Sequence, residues 1–541
     1  MKYDVIVIGA GAGGGIAAGV LAEAGKRVLL IERGRNLPYE SVPRDHLRNQ
    51  RLSQYGANAG PDMGAAPRTL FEAGQEWTLQ PTDTLYHNNA ACVGSGTRVY
   101  GGQAWRFMPQ DFRMASIYGV PEGSSLADWP ISYDELAPYY ERAEWEIGVA
   151  GDQTTMKHLP SYQKPYPMPP QPLNLQGQTA RRGAQALGWK TVSIPLLINS
   201  VPYNKRPACI QCQHCVGFAC PVDAKNGTQN TMIVRALESG CCDLVTEAMV
   251  ERITVSDAGR VNGAAYFDRG GERIEVQADV VVVSGGAIET ARLLLNSTSP
   301  AEPNGLGNNH DQVGRNLQGH YYPGARGLFA EPVQDNVGPG ATTATCEFNH
   351  DNDGIIGGGM LADDFTVLPI IFWKRKLPPD LPRWGAANKD FMRENYRRVM
   401  DITGPVHEIP NPESRVTLSE TVRDKFGIPV ARLSGVAHAE TVRTGVYMNE
   451  RAKEWLRAAG AVKVWGDPPG PYLSAGQHQA GTCRMGDDPQ TSVVDRWCKV
   501  HGHDNLYIAD GSVHTTNGGF NPVLTIMALA FRTASHIAAS W

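Results

Sequence analysis

Three stretches of the 541-residue chain carry side chains, or bare backbone, suited to chemistry. His478 stands in Gly476-Gln477-His478-Gln479-Ala480-Gly481-Thr482-Cys483-Arg484-Met485-Gly486, and Asn521 opens the last apolar run 43 residues later. A neutral imidazole, whose ordinary pKa is about 6.5, takes a hydroxyl proton near neutral pH. An asparagine beside it hydrogen-bonds the same oxygen without competing as a base. The pair suits oxidation of an alcohol, in which a proton leaves oxygen as hydride leaves carbon. Taken alone, any one of the 14 histidines is more often structural, and Asn521 also stands where a helix cap belongs.

The second stretch is Gly9-Ala10-Gly11-Ala12-Gly13-Gly14. Gly9 permits a tight turn, Gly11 lets backbone approach a pyrophosphate, and the third glycine lets helix and strand pack closely. The pyrophosphate then rests on the N–H groups at the helix N-terminus. Glu32, at the end of the next strand, suits the hydroxyls of an adenosine ribose. These residues predict dinucleotide binding at Gly9, Gly11, Gly14 and Glu32, and leave FAD and NAD both open.

The third stretch places Cys209, Cys212, Cys215 and Cys220 within 12 residues, as C-x2-C-x2-C-x4-C-P. This is one residue longer than the bacterial ferredoxin run, C-x2-C-x2-C-x3-C-P. Close thiolates of this kind wrap an iron–sulfur cluster or a zinc ion, or simply pack a loop as reduced thiols. His214 is an outlying ligand candidate. The adjacent Cys241 and Cys242 read as core.

The elements that must hold these groups follow from periodicity. Residues 4–8 read as a buried parallel strand, Ile16–Ala24 as a helix ended by Gly25, and Arg27–Glu32 as a second strand. Residues 33–87 read mostly as loop and Ser132–Val149 as an amphipathic helix. Residues 158–172 form a Pro-rich extended crossing. Val250–Val276 reads as antiparallel strands turning at Gly270-Gly271, Asp279–Ser284 as another buried strand, and the stretch after Gly285-Gly286 as a helix to Leu295. Asn505–Asp510 is a last strand and Pro522–Ala539 a last helix. Trp105, Trp129, Phe372 and Trp373 are either a sugar-stacking wall or ordinary core. With 19% charged residues and a net charge of −5, the chain is globular and lacks a basic field for nucleic acid. No apolar run approaches 18 residues, so no membrane span is expected. The start of the chain does not read as a signal peptide, which predicts a cytoplasmic protein, with export alongside a signal-bearing partner left open.

Several motifs, in order, resemble the glucose–methanol–choline oxidoreductases, the FAD-dependent alcohol oxidases and dehydrogenases. They are the Gly9 turn, Val93-Gly94-Ser95-Gly96-Thr97, Gly285-Gly286-Ala287-Ile288-Glu289-Thr290, Val313-Gly314-Arg315-Asn316-Leu317 with His320, and the region from His478 to Asn521. Gly94 to Phe112 and His407-Glu408-Ile409-Pro410 are similar to the sugar- and glycoside-oxidising branch. The resemblance implies an α/β fold: a Rossmann-like FAD-binding domain of residues 1–36, 88–125, 195–322 and 472–541. A substrate-binding domain built on an antiparallel sheet, with connecting loops, would take residues 37–87, 126–194 and 323–471. It implies His478 as base with Asn521 as partner, Gly94 and Thr97 at the cofactor, and Asp510 against the ribityl–phosphate region. Val99 replaces the histidine that anchors flavin in some relatives, so non-covalent FAD is expected. By the same resemblance Cys209, Cys215 and Cys220 are the iron–sulfur ligands, with Cys212 a further candidate. The expected activity is oxidation of a sugar or glycoside hydroxyl, with electrons passing to oxygen or an external acceptor. Oxidation of a non-sugar alcohol and hydroxynitrile cleavage, a lyase reaction without net redox change, are the alternatives; the cysteine run argues against the lyase.

Overall fold

The computed structural model describes residues 2–37, 60–61, 64–86, 90–152, 156–159, 162–365, 368–476 and 478–541. Its centre is a sheet of β1 (Lys2–Ile8), β2 (Val28–Ile31), β3 (Cys242–Val245), β4 (Met249–Val255), β5 (Val261–Phe267), β6 (Arg273–Val283) and β7 (Leu506–Ile508). The order is β3-β2-β1-β6-β5-β4, with β7 also pairing β6. Strands β3, β2, β1, β6 and β7 run parallel, whereas β4, β5 and β6 form an antiparallel meander.

The sequence places a separate buried strand at Asp279–Ser284; in the fold it is the second half of the 11-residue β6. The first half pairs antiparallel with β5, Gly263 opposite Gln277. The second half lies between β1 and β7, Val282 opposite both Val7 and Tyr507. Val281, Val282 and Val283 are fully buried there, which is why that half reads as a continuous apolar run.

Helix α1 (Ala12–Glu23) follows β1, and ten of its twelve residues are buried. It has no solvent face, because it is held between the sheet, residues 228–238 and the last helix, Val523–Ala539. Small residues are therefore required at its start. A Cβ on Gly13 would lie 1.7 Å from the carbonyl oxygen of Ala509. Gly9 has φ +102°, and a Cβ there would lie 2.3 Å from the carbonyl oxygen of Ser284.

A second, six-stranded sheet has the order 463–465, 324–328, 399–403, 361–363, 343–345, 192–193, all antiparallel. The helix Ala439–Ala458 packs against it through Met448, Trp455 and Leu456. A third sheet joins 415–423 and 429–434 to 68–72 and 75–79. The last two strands fall where the sequence reads as loop. They turn through Ala73 (φ 50°) and Gly74 (φ 78°), and Thr69 pairs with Arg432, a partner no local window contains. Much of the remainder of that expected loop, residues 38–59, 62–63 and 87–89, lies outside the described residues. The helix expected at Ser132–Val149 runs from Tyr133 to Ala143, capped by Ser132 and Glu135. It then widens into a π turn, Glu144–Gly148, as the buried Glu144 turns to Arg106 with two contacts of 2.6 Å.

Replacing Gly13 with Ala should lower stability by about 3 kcal/mol through overpacking, read as a drop in the denaturation midpoint. An unchanged midpoint would mean the first turn relaxes without cost.

Candidate active site

A cavity of about 1100 Å³ opens where the C-terminal ends of β1, β2, β6 and β7 face the second sheet. At the first-sheet end its lining includes Gly9, Gly11, Glu32, Thr97 and Asp510; at the other, Tyr322, Arg326, Asp364, Lys376 and Asp401. His478 and Asn521 line it as well. Gly14 and Gly94 do not: Gly14 packs on the Gly9 carbonyl, and the Gly94 N–H donates to Ala10 O at 2.8 Å, docking the 93–97 block on the first turn. Thr97 Oγ1 donates to Gly94 O at 2.6 Å and so stiffens the same corner.

The chemistry of this end suits a dinucleotide. The N-terminus of α1 lines the cavity at Gly11, Ala12 and Gly13 without a capping side chain or an acid in its first turn. Bare N–H groups and the helix dipole there favour a phosphate. The helices Ala287–Asn296 and Val523–Ala539 also start at the cavity without side-chain caps. Glu32 Oε2 accepts from Ala10 N at 2.9 Å and Oε1 from Gly34 N at 2.8 Å, which aims the carboxylate. Burial pushes the Glu32 carboxyl up, while those two N–H groups oppose the shift. Asp510 is likewise held: Oδ2 accepts from Gly286 N (2.9 Å) and Thr290 Oγ1 (2.6 Å), Oδ1 from Ser512 N (2.8 Å). Val99 lines the cavity with an alkyl group, which has no atom to bond a flavin covalently.

At the reacting end His478 Nε2 lies 3.4 Å from Asn521 Nδ2. Its Nδ1 lies 2.9 Å from His320 Nδ1 and 3.2 Å from the Tyr322 hydroxyl, which accepts from Asn521 Nδ2 at 3.1 Å. Asn517 Nδ2 donates to the His478 carbonyl at 2.8 Å. Glu408 braces the segments behind these rings: Oε2 accepts from Gly319 N at 3.0 Å and Oε1 from Ser474 Oγ. Farther back, Asp111 Oδ1 contacts Nε2 of His350 (3.0 Å) and of His407 (2.5 Å). Burial alone would raise the Asp111 carboxyl, but the two imidazoles hold it well below the usual carboxylate range. A Cβ on Gly519 would lie 3.0 Å from His407 Cε1, so this cluster backs the 514–521 segment that carries Asn521.

The motifs quoted from the sequence contain His320 and Glu408 without a role for either, and Tyr322 was not singled out. The one available signal was their place in the Val313–His320 and His407–Pro410 runs. The four aromatic residues considered for a sugar wall are not at the cavity. Trp105, Trp129 and Phe372 are 1% exposed core residues, and Trp373 is on the surface. Cys209, Cys212, Cys215 and Cys220 line a separate cavity of about 10 Å³ together with His214. Their thiols are free. Between the two spaces runs one loop, whose Gln213, Val216, Gly217 and Phe218 line the large cavity.

Comparison with known proteins decides the family. Models of the GMC oxidoreductase family match residues 122–322 and 410–530, and an FAD binding domain model matches residues 2–102. The chain is 31% identical to 6'''-hydroxyparomomycin C oxidase of Streptomyces lividus, over 99% of this chain and 92% of that protein. The chain belongs to the GMC oxidoreductase family. It is similar also to the fructose dehydrogenase large subunit of Gluconobacter japonicus, 29% identical over 99% of this chain and 98% of that one. Pyridoxine 4-oxidase from Mesorbium loti shares the fold, with a TM-score of 0.64 at 16% identity, covering 98% of each chain. This GMC oxidoreductase is thus an FAD-binding enzyme.

Burial pushes the Glu408 carboxyl up to about 7, against the hydrogen bonds from Ser474 and Gly319. A folded value above the ordinary one means the native state holds the proton longer. Its contribution to stability is complete below pH 4.5 and is lost as pH rises through about 7. The loss amounts to about 3 kcal/mol at about 1.4 kcal/mol per pH unit. Glu408→Gln has no proton to lose, so its stability relative to wild type should improve by that amount between pH 4.5 and 8. Parallel denaturation curves for the two proteins across that range would refute the assignment.

Proposed function

We propose that this enzyme oxidises a hydroxyl of a sugar or glycoside, with His478 as the base and Asn521 as its partner. The observation that carries the reading is the His478–Asn521 pair at 3.4 Å on the wall of the cavity that Gly11, Glu32 and Asp510 also line. His478 Nε2 takes the hydroxyl proton while Asn521 Nδ2 donates to the same oxygen. FAD, when bound, would supply the two-electron sink for the hydrogen and electron pair of the C–H bond. The carbinol thereby becomes a ketone, aldehyde or lactone. Gly9 and Gly14 would shape the turn beneath the pyrophosphate, Gly11 would let it approach, and Glu32 would hold the ribose. Gly94 and Thr97 hold the adjoining corner, and Asp510 would hold the ribityl–phosphate region. No covalent bond to the flavin is proposed.

The substrate class rests on likeness to proteins named for fructose and for hydroxyparomomycin C. The far wall is polar, as a polyhydroxylated molecule requires: Lys376 Nζ donates to Asp364 at 3.0 Å and to Asp401. Among the described residues no helix is long and apolar enough to cross a membrane. We place the enzyme in the cytoplasm, a reading favoured by the lack of any disulfide among the described cysteines.

Oxygen or an external carrier takes the electrons onward. We assign Cys209, Cys215 and Cys220, with Cys212 as a further candidate, to an iron–sulfur cluster that would pass electrons singly. The shared 213–218 loop between the two cavities supports this. So does Lys225, whose Nζ is held by the carbonyls of Tyr100 (2.9 Å), Cys215 (2.6 Å) and Phe218 (2.8 Å). Burial pushes the Cys215 thiol up, and the Lys225 ammonium opposes that only in part.

A His478→Ala variant should keep its flavin but reduce it 10²–10⁴-fold more slowly on anaerobic mixing with sugar or glycoside substrates. Bleaching at the wild-type rate would remove His478 as the base. Anaerobically purified protein should contain iron and sulfide, and Cys215→Ser should lose both while flavin reduction by substrate continues. Flavoprotein without iron would discard the cluster and leave the oxidation intact.

A further inference from the structure

We infer that His320 is a positioning residue that sets the tautomer of His478, so that the resting enzyme turns a bare Nε2 toward the substrate hydroxyl. The inference rests on the proposed role of His478, and it follows from counting donors and acceptors along one chain of contacts. His320 Nε2 lies 3.2 Å from Asn517 O and 2.5 Å from Gly518 O. Carbonyl oxygens only accept, so this nitrogen carries a proton. A second proton on the same ring is disfavoured, because burial pushes the His320 pKa down to about 4. His320 is therefore neutral and its Nδ1 is a lone pair.

That lone pair faces His478 Nδ1 at 2.9 Å. Two bare nitrogens at this distance would repel, so His478 Nδ1 must be the donor. A neutral His478 with its proton on Nδ1 has a bare Nε2, the nitrogen beside Asn521 and at the cavity. The polarity thus starts at two backbone carbonyls and ends at the base. Reversing it would leave His320 Nε2 bare against both carbonyls. When His478 takes the hydroxyl proton on Nε2, it keeps Nδ1–H donated to His320, and His320 itself stays neutral.

The backbone supports the assignment. His320 has φ 66°, a left-handed conformation uncommon for residues with a side chain but more frequent for His, Asn and Asp. Such conformations persist where neighbours over-determine them. Here Glu408 accepts from Gly319 N, and the Tyr321 hydroxyl donates to Gly470 O (2.9 Å) and Tyr472 O (3.2 Å). The conformation is spent on aiming one imidazole at the back of another; the rings lie at 89° with centroids 5.1 Å apart. The other titratable groups around His320 are Tyr322, His407, His514 and Asp111.

Anaerobic flavin reduction tests the idea. His320→Leu should slow the limiting rate about 100-fold, with little change in substrate affinity. His320→Asn, which tolerates the same backbone and keeps an acceptor, should recover the rate to within about tenfold. His320→Asp should shift the acid limb of the rate profile to higher pH, because a carboxylate beside His478 favours its protonated form. In the wild-type holoenzyme, ¹⁵N-histidine NMR, assigned with His478→Gln, should show His478 protonated on Nδ1 and bare on Nε2. An Nε2–H tautomer overturns the inference however the variants fold. So does a His320→Leu enzyme with the wild-type rate and pH profile. If the NMR shows Nδ1–H while His478→Ala still reduces flavin normally, the tautomer argument stands and the function of His478 is wrong.

Discussion

The closeness of three backbones at the end of the central sheet governs everything at this site. Gly13 lies against the carbonyl of Ala509, Gly9 against that of Ser284, and Ser284 Oγ donates to Ala509 O at 2.7 Å. Only backbone fits in these gaps. The contact brings residues 9–13, 284–286 and 509–511 together at the C-terminal edge of parallel strands. There, helix N-termini leave N–H groups unpaired and anions are stabilised. Asp510 ties two of these pieces, and the helix that follows Gly286, by accepting from Gly286 and Thr290. The cofactor end of the cavity is therefore a property of packing density, and its few side chains are already oriented by the backbone around them.

The reacting end is built differently, from buried polar contacts on loops. Glu408 ties the 319–322 segment to residue 474, and the Asp111–His350–His407 cluster backs the segment that carries Asn521. In a low-dielectric setting such contacts are strong when complete and costly when broken. They hold the loops that carry His320, His478 and Asn521 in a fixed relation. The far end of the space is closed by Arg326, Asp364, Lys376 and Asp401 together with Tyr322 and Phe365. The cysteine loop forms the partition to the smaller cavity, so the two cavities share a wall one loop thick.

What could be read from local order was read correctly where partners are near in the chain. The β1–α1–β2 opening appears as expected because strand, glycine turn, helix and acid follow one another within about 30 residues. The strands at 68–79 were not legible, since their stability comes from pairing with 429–434. Phe372 shows the same limit from the other side. An aromatic residue in the sequence does not say whether it faces a cavity or a core, and here it is core.

The sequence by itself carried the family resemblance, through it FAD as the cofactor, and His478 with Asn521 as the candidate base and partner, because motifs in a set order depend on residue types at set spacings. Tertiary structure alone decided that His478 Nδ1 meets His320, that Glu408 clamps the intervening loops, and that the cysteine loop lies between the large cavity and the small one the thiols line. Each of these joins segments 66 to 158 residues apart or more. Proton location and loop rigidity are set by which atoms touch, and contact between distant segments is fixed only when the whole core closes.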